Sequence, residues 1–389
     1  MKINSRYQYN NANFNYEQSF KGCDARPLKA VVAGNYQSIC QSEYYPKWLK
    51  ILQEVSEIFA KEKNIDCLVL SKDGTHPVKS FLDAINAIKD RSIDQWRYLW
   101  MQDYITISPN KKMCAVSFKK VDQSFAKDFS LTTYSPEWHV KGGNMYFIND
   151  GQEDVLLIGS HDMRNLYERR LNELTKTFNI EKVYEISQPD YHIDLGIRPL
   201  NDKNILVNDF EMMSEMLNKY IQRAKDYLLI NPDDSSVQKV LQNLETALER
   251  HSSNVKKSNL ADANQISSEL TALGFNPVRV PAALVNLFEG GDEYNSFSHY
   301  IYNANFINAI VHERPDKSLL YLTNQPIDTI CTDTESCIGA KKIGFDLKTI
   351  FEDAVKAYIN KSDIHYLSTQ EILKNKSGGL HCLFAEIPN

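Results

Sequence analysis

The sequence has no long apolar run, no strongly basic stretch and no apolar segment near its beginning. A membrane-spanning helix needs about 18 or more consecutive apolar residues, so we expect no membrane partner. The net charge is −6, which makes nucleic acid a poor candidate partner. The first twenty residues are polar and aromatic, unlike a signal peptide. We therefore expect a cytoplasmic protein, with export by a route that needs no cleaved signal left open.

Cysteine is infrequent and irregularly spaced. Seven cysteines lie at positions 23, 40, 67, 114, 331, 337 and 382, and no two of them form a CxxC pair. The odd number and the irregular spacing disfavour both a disulfide framework and a cysteine-rich zinc site. Reduced thiols in a cytosolic setting fit this pattern better.

Strand-like and helix-like segments alternate along most of the chain. Apolar residues make up 42% of the 389 residues, which is enough for a sizeable core. Apolar runs predict strands at 29–33, 67–70, 99–108, 113–118, 145–148, 154–158, 182–187, 192–198, 205–207, 277–280, 305–311, 318–322, 363–367 and 382–386. Helical spacing of apolar residues predicts helices at 46–63, 78–90, 162–177 and 346–360. This alternation is typical of an α/β protein.

The chain has no sharp linker. We interpret residues 1–28 as an N-terminal arm and residues 29–389 as one domain. Residues 210–272 are almost all helix-forming, with a polar break at 231–236, and they predict a helical insertion in that domain.

The segment near the C-terminus carries the strongest chemical signal. Gly378 and Gly379 allow a close backbone approach, and they precede His381 and Cys382 at the start of an apolar run. A cysteine becomes a nucleophile as its thiolate, which a cationic neighbour or substrate would stabilise. A lone cysteine is more often a small buried apolar residue. If the segment is extended, His381 points to the opposite face from Cys382, so we expect only a positional role for it.

Two further segments carry acidic residues among apolar ones. In a strand at 192–198, His192 and Asp194 would share one face. Asp103 lies in the aromatic segment that begins at Trp100, where a buried carboxylate needs a partner. The alternatives are a surface strand for the first segment and a structural ion pair for the second. A glycine pair that ends at Gly143 has the pattern of a tight turn.

These segments, taken in order, resemble the guanidino-group-modifying enzymes of the pentein fold, especially agmatine and peptidylarginine deiminases. Trp100 to Asp103 resembles the family's Trp-x-x-Asp segment, His192 and Asp194 its His-x-Asp segment, and Gly378 to Cys382 its Gly-Gly-x-His-Cys segment. Residues 302–308 are similar to its penultimate repeat. The sequence departs from the family at Lys141, where a glutamate is common. The resemblance covers roughly residues 29–389 and implies a propeller of five ββαβ units around a central pocket.

The resemblance also implies a mechanism. Asp103 and Asp194 would hold the planar guanidinium, Cys382 would attack its central carbon, and His192 would act as acid and then as base. The product would be a ureido group and ammonia, and this chemistry needs no metal or organic cofactor. The residues expected to bind the substrate are Trp100, Asp103, Gly143, Asn144, Asp194, Arg198 and Gly379.

Three alternatives remain at this point. The same residues would perform amidino transfer if an amine replaced water. A non-catalytic module of this fold would use the acidic pocket to bind an arginine side chain of a partner protein. A papain-like protease fits poorly because the cysteine follows the histidine. The sequence does not distinguish a small guanidine from a protein arginine as substrate, and it gives no sign of the oligomeric state.

Overall fold

A recurring three-stranded pattern organises the part of the chain that can be described. The computed structural model describes residues 27–35, 45–62, 65–71, 73–88, 100–110, 112–115, 120–134, 142–150, 153–160, 168–180, 182–188, 192–257, 262–287, 300–369 and 379–389. In each of five units, two strands pair antiparallel, and a helical connection returns the chain to a third strand parallel to the second. A parallel neighbour requires such a crossover, which explains the alternation of strands and helices in the sequence.

The first unit joins the two ends of the described chain. Strand β1 (Leu28–Gly34) pairs antiparallel with β18 (Phe384–Pro388) and parallel with β2 (Asp66–Ser71). Helix α1 (Tyr45–Phe59) connects β1 to β2, and β3 (Gly74–Pro77) and α2 (Phe81–Ile88) follow. Hydrogen bonds between β1 and β18 therefore join the first and last described strands.

The second and third units each begin with a short helical turn. The second unit comprises α3 (Met101–Tyr104), β4 (Ile105–Ile107), β5 (Lys112–Ala115), α4 (Lys120–Asp128) and β6 (Thr132–Tyr134). The third comprises the 3₁₀ turn Gly142–Asn144, β7 (Met145–Asn149), β8 (Asp154–Gly159), α5 (Glu168–Phe178) and β9 (Lys182–Ile186). The central strand β8 is buried from Val155 to Gly159, as its unbroken apolar sequence predicts.

The fourth unit contains the long helical block. It comprises the 3₁₀ turn Ile193–Leu195, β10 (Ile197–Pro199), β11 (Asn204–Asp209), α6 (Phe210–Ile230), α7 (Ser235–Lys257), α8 (Ala263–Ala272) and β12 (Asn276–Pro281). The helices predicted within 210–272 are therefore present. They form the crossover from β11 to the parallel strand β12.

The fifth unit follows a two-stranded sheet of β13 (Ala283–Leu287) and β14 (Tyr300–Ala304). It comprises β15 (Ile310–Glu313), β16 (Leu319–Asn324), α9 (Thr334–Ile343), α10 (Leu347–Val355), the 3₁₀ turn Lys361–Asp363 and β17 (Ile364–Leu367). Helix α11 (Leu380–Leu383) then leads into β18. No helix in the described ranges is both long and apolar enough to cross a bilayer.

Hydrophobic clusters join each unit to others. Ile310 and Leu322 of the fifth unit pack with Val31 of the first, and Ala30 of the first packs with Ile105 of the second. Residues of the third unit, such as Leu157, share a cluster with those of the fourth, and the fourth shares another with the fifth. The core is therefore distributed between adjacent units.

Four predicted strands were wrong in part. Residues 101–104, 193–195 and 382–383 lie in short helical turns instead of the predicted strands, and residues 305–309 lie outside any strand. In each case the true strand begins later, at Ile105, Ile197, Phe384 and Ile310. Helix α9 was not predicted. The predicted arm lies almost wholly outside the described residues, as does Lys141.

Candidate functional site

The short helical turn that precedes the first strand of a unit carries each sequence motif, and these turns lie close together. Helix α11, which carries His381 and Cys382, contacts α3 of the Trp100 segment. Helix α3 contacts the turn Gly142–Asn144, which in turn contacts the turn that carries Asp194. All three motif segments, together with the glycine-pair turn, therefore meet in one region, although they are far apart in sequence.

Asp194 lies directly against the C-terminal motif. Its Oδ2 is 2.8 Å from His381 Nδ1 and 3.4 Å from Cys382 Sγ. The Asp194 side chain is 0% exposed and Cys382 is 4% exposed. A thiol, an imidazole and a carboxylate thus converge in a buried position, where charge interactions are stronger than in water.

The helical turn at 380–383 corrects the orientation expected for His381 relative to Cys382. The expectation of opposite faces for His381 and Cys382 assumed an extended segment. In the turn, both side chains contact the same oxygen of Asp194. Burial holds the pKa of His381 well below its ordinary value, with further lowering by Arg198 and His192. The neutral imidazole then donates its Nδ1–H to Asp194.

His192 lies at the entrance of the turn that carries Asp194. It is buried, with extended backbone angles of φ −130° and ψ 153°, and its carbonyl accepts a hydrogen bond from Leu195 N at 3.3 Å. It interacts electrostatically with His381. The shared-face argument for His192 and Asp194 assumed a strand, but Asp194 is in a 3₁₀ turn.

Asn144 fixes the backbone beside Asp194. Its Oδ1 accepts a hydrogen bond from Ile193 N at 3.0 Å, and its Nδ2 donates to Gln188 Oε1 at 3.4 Å. Gly143 is buried in the same turn. A side chain at Gly142 would collide with the Gln102 carbonyl oxygen, 1.9 Å from an ideal Cβ, so this turn requires glycine there.

Arg198 is held inside the protein by an acidic partner. Its Nη2 donates to both carboxylate oxygens of Glu386, at 2.8 and 3.0 Å, and the side chain is 0% exposed. Its guanidinium also lies over the Tyr146 ring, 5.7 Å from the centroid, and Tyr146 lies beside His381. Burial raises the pKa of Glu386, whereas Arg198 lowers it.

Trp100 packs at the margin of the hydrophobic cluster that contains Leu380 and Leu383. It begins α3, and Tyr104 N donates to its carbonyl at 3.0 Å. Asp103 has a described backbone in α3, but its side chain lies outside the described residues. Among the described residues, no group of three or more His, Cys, Asp or Glu side chains could hold a metal ion.

Asn308 was not among the residues predicted from the sequence. Its amide contacts Cys382, the backbone of His381 and the backbone of Asp194. A side chain at Gly379, which was predicted to approach a ligand, would collide with Asn308, because an ideal Cβ there would be 2.1 Å from Asn308 Oδ1. The likeness of 302–308 to the family's penultimate repeat was the one signal that could have found Asn308.

The chain is similar to known proteins in structure but matches no curated protein by sequence and no protein family model. Solved structures do match it along nearly its whole length. Agmatine deiminase of C. jejuni has a TM-score of 0.53 at 13% identity, covering 97% of this chain and 99% of that chain.

Two further structures agree. A cysteine-to-serine variant of the C. jejuni agmatine deiminase with substrate bound has a TM-score of 0.54 at 12% identity, with 98% and 99% of the two chains covered. A putative arginine deiminase from Porphyromonas gingivalis has a TM-score of 0.51 at 10% identity, with 94% and 97% covered. At such low identity the likeness concerns the fold. The mixed α/β fold of this chain is therefore similar to that of the pentein guanidino-modifying enzymes, the family that its motifs resemble.

Proposed function

We propose that the protein is a hydrolase that converts a guanidino group to a ureido group and releases ammonia. The observation that carries this proposal is the convergence of Cys382 Sγ, Asp194 Oδ2 and His381 Nδ1, which are brought together from two units of the fold. The proposal is supported by a fold similar to that of an agmatine deiminase and a putative arginine deiminase. It is also supported by the order of the three motifs, which resembles that of the family.

In the proposed reaction, two carboxylates hold the substrate. Asp194, oriented by His381, and Asp103 accept the N–H donors of the planar guanidinium by charge-assisted hydrogen bonds of about 1.5–3 kcal/mol each. Holding the plane exposes the central carbon to Cys382. Arg198 is already paired with Glu386, which favours a supporting role over direct contact with the substrate. The proposed surroundings of the substrate also include Trp100, Gly143, Asn144 and Gly379.

The covalent steps follow from these positions. The Cys382 thiolate forms a bond to the guanidinium carbon, and His192 protonates the departing nitrogen, which leaves as ammonia. The remaining S-alkylthiouronium is attacked by water, from which His192 removes a proton. The adduct then loses its remaining hydroxyl proton to solvent as the C=O bond forms and the S–C bond breaks, so the ureido product leaves and the thiolate is restored. These proposed steps require no oxidant, metal or organic cofactor.

We also propose that the five units surround a common axis, as in a five-bladed propeller formed by residues 29–389. The pairs Arg198–Glu386 and Asp194–His381 both link the fourth unit to the first, which do not follow one another in the chain. Such links are expected where the inner ends of several units meet. The shared hydrophobic cluster of the fifth and first units also supports closure.

Replacing the nucleophile tests the proposed activity. Cys382→Ala should reduce formation of ureido product to below about one-thousandth of the wild-type rate, since both half-reactions pass through the sulfur. The substrates are free arginine, agmatine and an arginine-rich protein, each assayed colorimetrically. The exposed thiol Cys337 provides the matched control, and Cys337→Ala should keep full turnover. Unchanged turnover in Cys382→Ala would remove the proposal.

The same assay distinguishes the alternatives. An amidinotransferase would form an amidinated amine in place of ammonia when an amine acceptor is supplied. A binding module would give no product with any substrate and would bind an arginine-bearing protein tightly. The assay also separates a small guanidine from a protein arginine as substrate.

A further inference from the structure

Asn308 connects three parts of the candidate site. Its Nδ2 is 3.4 Å from Cys382 Sγ and 3.3 Å from the Asp194 carbonyl oxygen, and its Oδ1 accepts a hydrogen bond from His381 N at 2.9 Å. The side chain comes from the fifth unit and is 0% exposed. It therefore contacts the sulfur and the backbone on both sides of it.

The backbone contacts decide which end of the amide faces the sulfur. The Asp194 carbonyl can only accept a hydrogen bond, and His381 N–H can only donate one. The first requires Nδ2 and the second requires Oδ1, so the amide cannot be reversed without losing both bonds. The sulfur lies nearer to Nδ2, at 3.4 Å, than to Oδ1, at 3.9 Å. Asn308 thus presents an N–H donor to Cys382.

Neighbouring asparagines hold Asn308 in this orientation. Asn324 donates to the Asn308 carbonyl oxygen at 2.9 Å and accepts from Leu380 N at 3.0 Å. Asn305 Oδ1 accepts from Asn308 N at 3.2 Å. The Asn308 side chain and the start of α11 are therefore fixed relative to each other.

A similar hydrogen bond from the backbone to an asparagine side chain occurs beside Asp194. Asn144 accepts a hydrogen bond from the backbone N–H of Ile193, the residue before Asp194, as Asn308 does from His381, the residue before Cys382. Asn144 lies in the third unit and holds the turn of the fourth, and Asn308 lies just before β15 and holds α11, which leads into β18. Two side chains of the candidate site are thus positioned in the same way, and Asn308 also lies 3.4 Å from Cys382 Sγ.

We propose that Asn308 is a positioning residue that donates a hydrogen bond to the sulfur of Cys382 and thereby favours its thiolate form. This role rests on the proposed use of Cys382 as a nucleophile. The group that opposes it is the Asp194 carboxylate, at 3.4 Å from the sulfur. Among the described residues, His381 contacts the same Asp194 oxygen as the sulfur, and Arg198 and His192 act electrostatically on His381. These groups are the same in all the variants below.

The test measures the pH dependence of Cys382 alkylation by iodoacetamide, without substrate. Trypsin cleavage after Lys376 releases a peptide in which Cys382 is the only cysteine, so mass spectrometry follows this thiol alone. The variants are Asn308→Asp, which keeps the acceptor for His381 N but replaces the donor by an anion, and Asn308→Ala. Asn243→Asp is the control, because it adds the same charge where the amide donates to the Ile330 carbonyl.

The pH midpoint of alkylation should rise by about one unit or more in Asn308→Asp, a tenfold loss of thiolate near neutral pH. It should rise by less in Asn308→Ala and stay unchanged in Asn243→Asp. If circular dichroism shows that Asn308→Asp does not fold, the alkylation midpoint of Asn308→Ala tests the role by itself. An unchanged or lower midpoint in the folded Asn308 variants would overturn this role. The alkylation test uses no substrate, so it is independent of the ureido assay. If the alkylation midpoint shifts as expected but the protein forms no ureido product, only the proposed activity is contradicted.

Discussion

At the residue scale, a glycine before the nucleophile is required by a neighbouring side chain. Gly379 lies so close to Asn308 that a methyl group there would displace the amide from Cys382. The glycine pair was predicted to permit a close backbone approach, and at Gly379 the structure describes Asn308 as a close neighbour. One sequence does not reveal which residue approaches, because the two positions are 71 residues apart in the chain.

Gly379→Ala should therefore destabilise the protein and slow alkylation of Cys382. Gly344→Ala is the control, since Gly344 has φ +70° with no atom within 4 Å of an ideal Cβ. That control should cost about 1–2 kcal/mol of unfolding free energy from backbone strain alone and leave the thiol's reactivity unchanged. Urea unfolding and alkylation rates check both. Equal alkylation rates in the two variants would contradict the steric role of Asn308.

At the element scale, His251 links the two longest helices. Its Nε2 donates to the carbonyl oxygen of Phe210, at 2.8 Å, so α7 is tied to the start of α6. Burial lowers the pKa of His251 below its ordinary value of 6.5, and the hydrogen bond to the carbonyl only partly opposes this. The folded protein therefore takes up a proton on this imidazole only at a lower pH than the unfolded chain, whose histidine is protonated below about pH 6.5.

The consequence is a loss of stability in acid. As the pH falls below about 6.5, the unfolded state binds the proton that the folded state excludes, and the unfolding free energy drops by up to about 1.4 kcal/mol per pH unit. His251→Gln keeps a donor and removes the titration, so its unfolding free energy should fall less steeply between pH 6.5 and 5. Denaturant unfolding at several pH values measures the slopes. Parallel slopes for the two proteins would contradict this explanation.

Long elements could be predicted from the sequence, but short turns could not. The apolar run at 154–158 and the helix-forming block at 210–272 match observed elements because burial and periodicity extend over many residues. The turns at 101–104, 193–195 and 380–383 contain too few residues to show a period, and they merge with the apolar strands that follow. The face assigned to His381 was wrong for this reason.

At the scale of the whole molecule, a buried ion pair joins the fourth unit to the first. Arg198 and Glu386 lie in the first strand of their respective units and are almost fully enclosed. Removing one partner of such a pair leaves a buried charge and costs about 3–5 kcal/mol, whereas replacing both by apolar residues of similar size is often neutral. Each charge of the pair therefore stabilises the folded protein by compensating the other buried charge.

Arg198→Met should lower the unfolding free energy by about 3–5 kcal/mol, because Glu386 would remain buried without its cation. The double variant Arg198→Met/Glu386→Leu should recover most of that loss. Urea unfolding of the wild type, each single variant and the double variant gives the coupling. A double variant as unstable as Arg198→Met would show that the arginine contributes mainly by packing.

The convergence of distant motifs on Cys382 is the property on which the proposed activity depends, and it is a property of the whole chain. Its most direct test is to quench the protein with acid during turnover of agmatine, arginine or an arginine-rich protein, and to weigh the peptide from 377 to 389. Our account predicts a covalent thiouronium adduct on Cys382 that disappears as ureido product forms. Formation of ureido product with no adduct on this peptide, and with full turnover in Cys382→Ala, would contradict it.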